Sequence, residues 1–158
     1  LVLVGLTLLL VLAVFGSQAL ARGNRGGSAV PFEATYTTYP EFAGAGDGYI
    51  LLDIPGEGEG THVGKSTWFA DGMRVDLVDP PQPQVSIMVI TASNGDELFG
   101  HFFGFGWPKS AGGNYYWGGY DITGGTGRFE GAYGSGLYHG TCGEVAGTVT
   151  FEGNLFYP

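Results

Sequence analysis

Few side chains in this sequence are of the types that carry out acid–base chemistry or bind metal ions. The histidines, His62, His101 and His139, lie far apart in the chain and form no chelating pair of the His-x-His or His-x-x-x-His kind, so no metal site is predicted. His101 lies between Phe99 and Phe103 at alternating positions, where it could project into an apolar interior and act as a proton donor or hydrogen-bond anchor. The alternative is a partly exposed histidine on the outside of an aromatic strand.

The single cysteine, Cys142, is another side chain with potential chemistry. One cysteine excludes a disulfide within the chain. Cys142 lies among Gly140, Thr141 and Gly143, where a turn needs small residues, and we expect a buried or inert thiol. Pairing with another chain is the alternative. No cofactor is predicted.

The elements that position these residues are predicted to be strands. Runs of β-branched and aromatic residues alternate with Gly, Pro, Asp and Asn clusters, and no long segment shows the period of an amphipathic helix. The fold class is therefore all-β: a single antiparallel closed β-barrel of about eight strands, lipocalin-like in shape, with very little helix. The strands are predicted at 32–39, 48–54, 62–69, 73–78, 85–91, 98–106, 115–122 with its continuation 128–138, and 145–156, with two separate strands at 115–122 and 128–138 as the alternative.

Glycine separates these strands and also lies inside them. Asp71-Gly72 and Asn94-Gly95 are favoured hairpin centres because both residue types adopt positive φ at low cost, and Pro55-Gly56 is expected to end a strand. The 31 glycines exceed what turns require. Within strands they permit the sharp coiling and close approach that barrel closure needs.

Aromatic residues crowd the strands predicted to form the barrel wall. A barrel of about eight strands is just wide enough to be filled by side chains or to hold one small ligand. We therefore predict an apolar lumen that takes up a small hydrophobic molecule, with filling of the lumen by the same rings as the alternative. The predicted lining comprises Phe99, His101, Phe103, Tyr116 and Tyr120, with Phe129 and Tyr133 as further ligand-binding candidates.

Residues 123–134, Thr-Gly-Gly-Thr-Gly-Arg-Phe-Glu-Gly-Ala-Tyr-Gly, resemble the TGGxGxFxGAYG segment of plant allene oxide cyclases, which are small barrels related to the dirigent group. Residues 61–67 and 94–100 are similar to segments of bacterial secreted proteins with the same type of barrel. The resemblance extends over roughly residues 61 to 158, and only its longest segment is specific. It implies an allene-oxide-cyclase-like fold and an isomerase or cyclase acting on a hydrophobic substrate.

The same resemblance implies a role for Glu33. Residues 32–35 resemble the first-strand segment in which plant allene oxide cyclases place an inward carboxylate that polarises their epoxide substrate. A carboxylate in an apolar lumen would have a raised pKa and could serve as an acid. An outward, solvated Glu33 is the alternative. The plant enzymes use a further cysteine that residues 73–78 lack, so oxylipin cyclisation is not expected here.

The chain is acidic, with 6 Lys and Arg against 15 Asp and Glu and a formal net charge of −9 at pH 7. This balance argues against nucleic acid, whose phosphates require a basic face, and against electrostatic docking on anionic lipid. The composition is compatible with assembly into a homo-oligomer.

The N-terminal residues are typical of an export signal. Residues 1–16 carry no charge, and Ala19-Leu20-Ala21 follows as a cleavage site. The apolar run is short for a membrane span, which needs about 20 residues. We predict a signal peptide at 1–21, a flexible leader at 22–30 and a barrel domain at 31–158, in a secreted or periplasmic protein. A basic segment and an initiator Met are expected upstream, and an uncleaved anchor is the alternative.

Three functions are compatible with these features. The first is a non-enzymatic barrel that binds a small apolar molecule or acts as an exported interaction module. The second is an isomerase or cyclase in which the lumen folds the substrate and Glu33 or His101 assists. The third is a structural subunit of an extracellular assembly.

Overall fold

Alternation of inward and outward residues produces nine strands in residues 28–110 and 112–156, the part of the chain that the computed structural model describes. A short 3-10 helix, η1 (Gly127–Phe129), precedes the eighth strand. The strands are β1 (Ala29–Thr38), β2 (Glu41–Gly46), β3 (Tyr49–Gly60), β4 (Gly64–Asp76), β5 (Gln82–Ala92), β6 (Glu97–Pro108), β7 (Asn114–Gly125), β8 (Tyr133–Cys142) and β9 (Gly147–Phe156).

Eight of these strands close into a barrel, which confirms the predicted all-β class. Every neighbouring pair is antiparallel, in the order β1-β9-β8-β7-β6-β5-β4-β3, and β1 pairs with β3 to complete the ring. The extra strand, β2, follows β1 after two residues, Tyr39 and Pro40. Thr38 of β1 lies opposite Gly56, while Glu41 of β2 lies opposite Asp53, so β3 pairs first with β2 and then with β1. Within the described chain β2 has no partner besides β3.

The predicted strands at 62–69 and 73–78 are one strand, β4. Asp71-Gly72 forms a β-bulge and not a hairpin, with the register against β5 shifting between Asp71 and Arg74. Gly72 has a φ of 55°, and its N–H donates to Asp53 Oδ1 at 2.8 Å. The prediction was wrong because the positive φ that favours Asp-Gly in turns also suits a bulge.

Other element boundaries also differ from the prediction. Pro55-Gly56 lies within β3 and ends no strand, and β2 was not predicted. Residues 115–122 and 128–138 belong to two strands, β7 and β8, with η1 between them, which confirms the alternative of two separate strands. The barrel begins at Ala29, slightly before the predicted start at residue 31.

The predicted signal peptide, at 1–21, lies outside the described residues, as does the leader up to residue 27. In the part of the chain that is described, no helix has the length and apolar character to cross a membrane.

Large rings fill the middle of the barrel because glycines on neighbouring strands make room for them. A Cβ on Gly104 of β6 would collide with the Tyr138 hydroxyl, and a Cβ on Gly136 of β8 would lie 2.7 Å from the Tyr120 ring. Interior positions of small barrels are often filled in this way, by alternating small and large residues.

One end of the barrel is closed by η1, whose Phe129 is fully buried. The loop is fixed to the β5–β6 turn, since the Thr126 N–H donates to Glu97 O at 2.8 Å and the Glu97 N–H donates to Thr126 Oγ1 at 2.9 Å. Arg128 lies beside Asp96, with 3.7 Å between Nε and Oδ2. Val63, from the β3–β4 turn, is buried at the same end. The segments 61–67, 94–100 and 123–134 therefore contribute to one closed end.

Candidate functional site

The opposite end of the barrel contains an apolar cavity of about 210 Å³ that opens toward solvent. It lies where β1 ends and β3 begins, beside the ends of β4, β6 and β8. Twelve of its lining residues are large and apolar or aromatic: Ile50, Leu52, Ile54, Trp68, Met73, Val75, Leu77, Phe102, Tyr116, Tyr138, Val149 and Phe151. The others are Thr38, Pro40, Gln82, Gln84, Asn114 and Cys142.

Packed rings form the floor of this cavity. Phe102 lies between Trp68, at a centroid distance of 6.1 Å, and Tyr138, at 5.1 Å with edge-to-face geometry. Phe151 contacts the same two rings from β9, at 5.9 Å and 6.1 Å. These offset and tilted arrangements are the preferred ones for aromatic pairs, so the floor is a rigid apolar surface.

The wall near the mouth is formed by β3 and β4, and β4 is bulged here. The register between them shifts between Leu52 and Ile54, where Asp53 of β3 lies opposite two residues of β4, Asp71 and Gly72. The Asp53 carboxylate accepts the N–H of Gly72 from the bulge in β4. A bulge bends its strand and increases the local twist, so the bulge in β4 curves this part of the wall beside the cavity.

The cavity is electrically neutral. No Asp, Glu, Lys, Arg or His is among the described residues that line it. The Tyr116 hydroxyl donates to the Thr148 carbonyl at 2.5 Å, and burial raises the pKa of Tyr116 far above its usual value. Burial likewise raises the pKa of Tyr138, with a smaller contribution from Tyr116. The phenols therefore remain protonated at neutral pH, and the cavity disfavours an ionised guest.

Two buried donors among the lining side chains lack a hydrogen-bond partner among the described residues. They are Trp68 Nε1 and the Tyr138 hydroxyl, in side chains only 4% and 3% exposed. A third, the Tyr120 hydroxyl, lies deeper in the barrel. A buried polar group without a partner costs about 1–3 kcal/mol. Such unpaired buried groups are unusual in folded proteins.

Cys142 is half-buried at the mouth, where its thiol donates to the Gly143 carbonyl at 3.2 Å. Burial raises the pKa of Cys142, and the nearby charge of Lys109 opposes this shift. The thiol is therefore protonated and a weak nucleophile. Within residues 28–110 and 112–156, no cluster of three or more His, Cys, Asp or Glu side chains is arranged to hold a metal ion.

The predicted lumen residues of β6 face outward, so their placement was wrong. Phe99 and Phe103 lie on the outer wall, and the His101 side chain is 49% exposed, with Nε2 3.4 Å from Asp121 Oδ2. The inward face of β6 instead carries Phe102 among glycines. A narrow barrel has no space for a ring at every inward position, so the glycine-bearing face is the one that turns inside.

Glu33 also faces outward, because Phe32 and Ala34 on either side of it are buried. It lies opposite Glu152 of β9, and its backbone N–H donates to Thr61 Oγ1 at 2.9 Å. The alternative of a solvated glutamate is thus confirmed. Neither side chain proposed as a catalytic acid reaches the interior.

Tyr116 and Tyr120 face the interior as predicted, but only Tyr116 lines the cavity. Tyr120 packs deeper, edge-on against Phe151 at 5.3 Å. Phe129 is buried in the closed end. Tyr133, at the start of β8 near that end, stacks on Phe156 at 4.8 Å.

Sequence reasoning missed most of the cavity wall. Leu52, Trp68, Gln84 and Tyr138 were not predicted to line it. The sequence signal that could have identified Tyr138 is the run of alternating glycines in β6. Inward glycines leave space on the inner wall for large rings from other strands.

Comparison with models of protein families, with curated proteins and with solved structures finds no match for this chain. The cavity is therefore the feature of the molecule that indicates a function.

Proposed function

We propose that this protein binds a small, neutral, apolar molecule in the cavity at the open end of its barrel. The observation that carries the proposal is the neutral cavity of about 210 Å³, lined mainly by large apolar side chains and backed by a rigid aromatic floor. An apolar cavity of about 150 Å³ is enough to admit benzene. The occupant is therefore a compact molecule, such as a monoterpene or a short acyl fragment.

The energetics of burial are consistent with this proposal. A guest that loses about 250 Å² of apolar surface to the cavity gains about 6 kcal/mol, which corresponds to a dissociation constant of tens of micromolar. The rigid aromatic floor and the protonated phenols require little reorganisation, which limits the cost of binding.

We further propose that the chain is an exported barrel of the allene-oxide-cyclase-like and dirigent-like type. What supports this is that the resembling segments, 61–67, 94–100 and 123–134, meet at one closed end of the barrel. Binding is favoured over cyclisation because the proposed acids, Glu33 and His101, lie outside and no carboxylate or imidazole is among the described cavity residues.

Tryptophan fluorescence tests the binding proposal directly. The chain has 3 tryptophans, of which Trp68 lines the cavity while Trp107 and Trp117 lie on the outer wall. In a variant carrying Trp107→Phe and Trp117→Phe, emission from Trp68 reports on the cavity alone. We expect monoterpenes or short-chain esters to change this emission with saturation and to raise the Tm.

The matched control uses two substitutions of the same kind. Leu52→Phe adds volume inside the cavity, while Val145→Phe adds it at an exposed position in the β8–β9 turn that does not line the cavity. We expect Leu52→Phe to weaken binding at least tenfold and Val145→Phe to leave it unchanged. Equal binding by both variants, or no response of Trp68 to any apolar compound, contradicts the proposal.

A further inference from the structure

The outer wall formed by β5, β6, β7 and β8 is apolar and aromatic, unlike the outside of an ordinary soluble barrel. We call its outward side chains the aromatic face. Their exposure is high for large apolar groups, which normally occur singly on a protein surface. The most exposed are Val85 (47%), Ile87 (58%), Trp107 (47%), Tyr115 (55%), Trp117 (45%) and Leu137 (68%).

Strand register makes the aromatic face continuous. Phe103 lies opposite Val85 on one side and Gly119 on the other, and Gly119 lies opposite Leu137, so one row crosses the four strands β5 to β8. Phe105 and Trp117 form the next row, with their ring centroids 6.4 Å apart. These rows form a single patch.

The exposed carboxylates lie mainly on the side of the barrel away from the aromatic face. The outer wall of β9, β1 and β3 carries the exposed carboxylates Glu152, Glu33, Glu57 and Glu59. On the aromatic face, acidic groups occur only toward the closed end, at Glu97 and Asp121 among the described outward positions. The net charge of −9 is therefore concentrated away from the patch.

We propose that the aromatic face is a contact surface between copies of this chain, most simply in a two-fold dimer. Its six most exposed side chains leave about half of their surface uncovered. Three of the six are rings, at about 150–250 Å² each, and with the three smaller aliphatic side chains the six offer on the order of 500–600 Å², whereas a standard interface buries about 800 Å² per partner. The half-buried Phe103 and Phe105 supply part of the difference.

Charge favours a second copy over other occupants. Two copies of an acidic chain repel each other wherever carboxylates face one another, and the aromatic face is the wall on which they can approach with the least repulsion. A membrane surface is less suitable, because anionic lipid attracts clusters of basic residues. The patch has Lys109 at its edge, with Nζ 4.4 Å from the Tyr115 ring centroid.

Sedimentation velocity and light scattering test this proposal, on the recovered protein with its N-terminus determined by mass spectrometry. The unmodified protein is expected to be oligomeric at micromolar concentration. Trp117→Glu and Leu137→Glu place a carboxylate in the patch and are expected to raise the dissociation constant at least 100-fold. Asn154→Glu adds the same charge at an exposed position on β9 and is the matched control, expected to remain oligomeric.

A second measurement covers variants that fail to fold. On dilution of the unmodified protein, emission from Trp107 and Trp117 should shift to longer wavelength as the patch becomes exposed to water. A monomer at 100 µM, an oligomer unaffected by a folded Leu137→Glu variant, or binding of the monomer to phosphatidylcholine vesicles would each overturn the proposal. None of these results depends on ligand binding in the cavity, which is followed by Trp68 emission. The proposal of a contact surface and the proposal of ligand binding can therefore fail independently.

Discussion

At the scale of single residues, the unpaired hydroxyl of Tyr138 is the most informative group in the cavity floor. It is buried and lacks a partner among the described residues, whereas the Tyr116 hydroxyl donates to the Thr148 carbonyl. Removing a buried polar atom that has no partner relieves a desolvation cost, while removing one that is bonded leaves an acceptor unpaired. The two tyrosines should therefore respond differently to the same substitution.

We expect Tyr138→Phe to leave the free energy of unfolding unchanged or to raise it by about 1 kcal/mol. Tyr116→Phe is the control and should lower it by about 1 kcal/mol. Urea denaturation followed by circular dichroism measures both. A clear loss of stability in Tyr138→Phe would mean that the hydroxyl has a partner in solution.

At the scale of elements, alternation in the sequence predicted strands well but not which face turns inward. In β6 the phenylalanines were expected inside, yet the glycines and Phe102 face the interior, since the width of the barrel limits the volume of inward side chains. The Asp71-Gly72 bulge was mistaken for a turn for a related reason. Local residue preferences specify a positive φ, but the pairing of distant strands determines whether that residue lies in a turn or in a bulge.

The glycine at position 104 tests this account of β6. A Cβ there would overlap the Trp117 carbonyl and the Tyr138 hydroxyl, whereas a Cβ on the neighbouring-strand residue Gly119 meets nothing closer than 3.7 Å. We expect Gly104→Ala to cost about 3 kcal/mol through overpacking, and Gly119→Ala to change stability by less than about 0.5 kcal/mol. Thermal denaturation measures the difference. Equal Tm values would show that the barrel expands freely around Tyr138.

At the scale of the whole molecule, the barrel could be predicted from the sequence, whereas the position of its cavity and most of the lining residues could not. The cavity depends on where the bulge in β4 meets β3 and on how far Trp68 and Tyr138 reach across the interior. These positions follow from barrel closure, which joins β1 to β3 and is not a local property of any segment. The same closure separates an acidic wall from an aromatic one, an asymmetry invisible in the overall composition.

Burial of tyrosines throughout the barrel predicts how stability depends on pH. Burial raises the pKa of Tyr36 to about 12, an effect reduced by its hydrogen bond to Ser66, and raises those of Tyr116, Tyr120 and Tyr138 further. Their unfolded pKa is about 10. Below pH 10 both states are protonated, and the contribution of these groups to stability is fully present. Above it the unfolded state loses protons first, so stability falls as pH rises.

Each such tyrosine should lower the free energy of unfolding by about 1.4 kcal/mol per pH unit above its unfolded pKa. With these four tyrosines acting together, we expect cooperative unfolding between about pH 10 and 12. Tyrosinate absorbance near 295 nm and circular dichroism, recorded together, should show exposed tyrosines such as Tyr115 ionising first and the buried ones ionising only as the strands are lost. Tyr36→Phe should flatten the decline if the variant folds. Ionisation of all 9 tyrosines in a barrel that keeps its native dichroism would mean that hydroxide reaches the interior without unfolding, and that the aromatic floor is not closed to water.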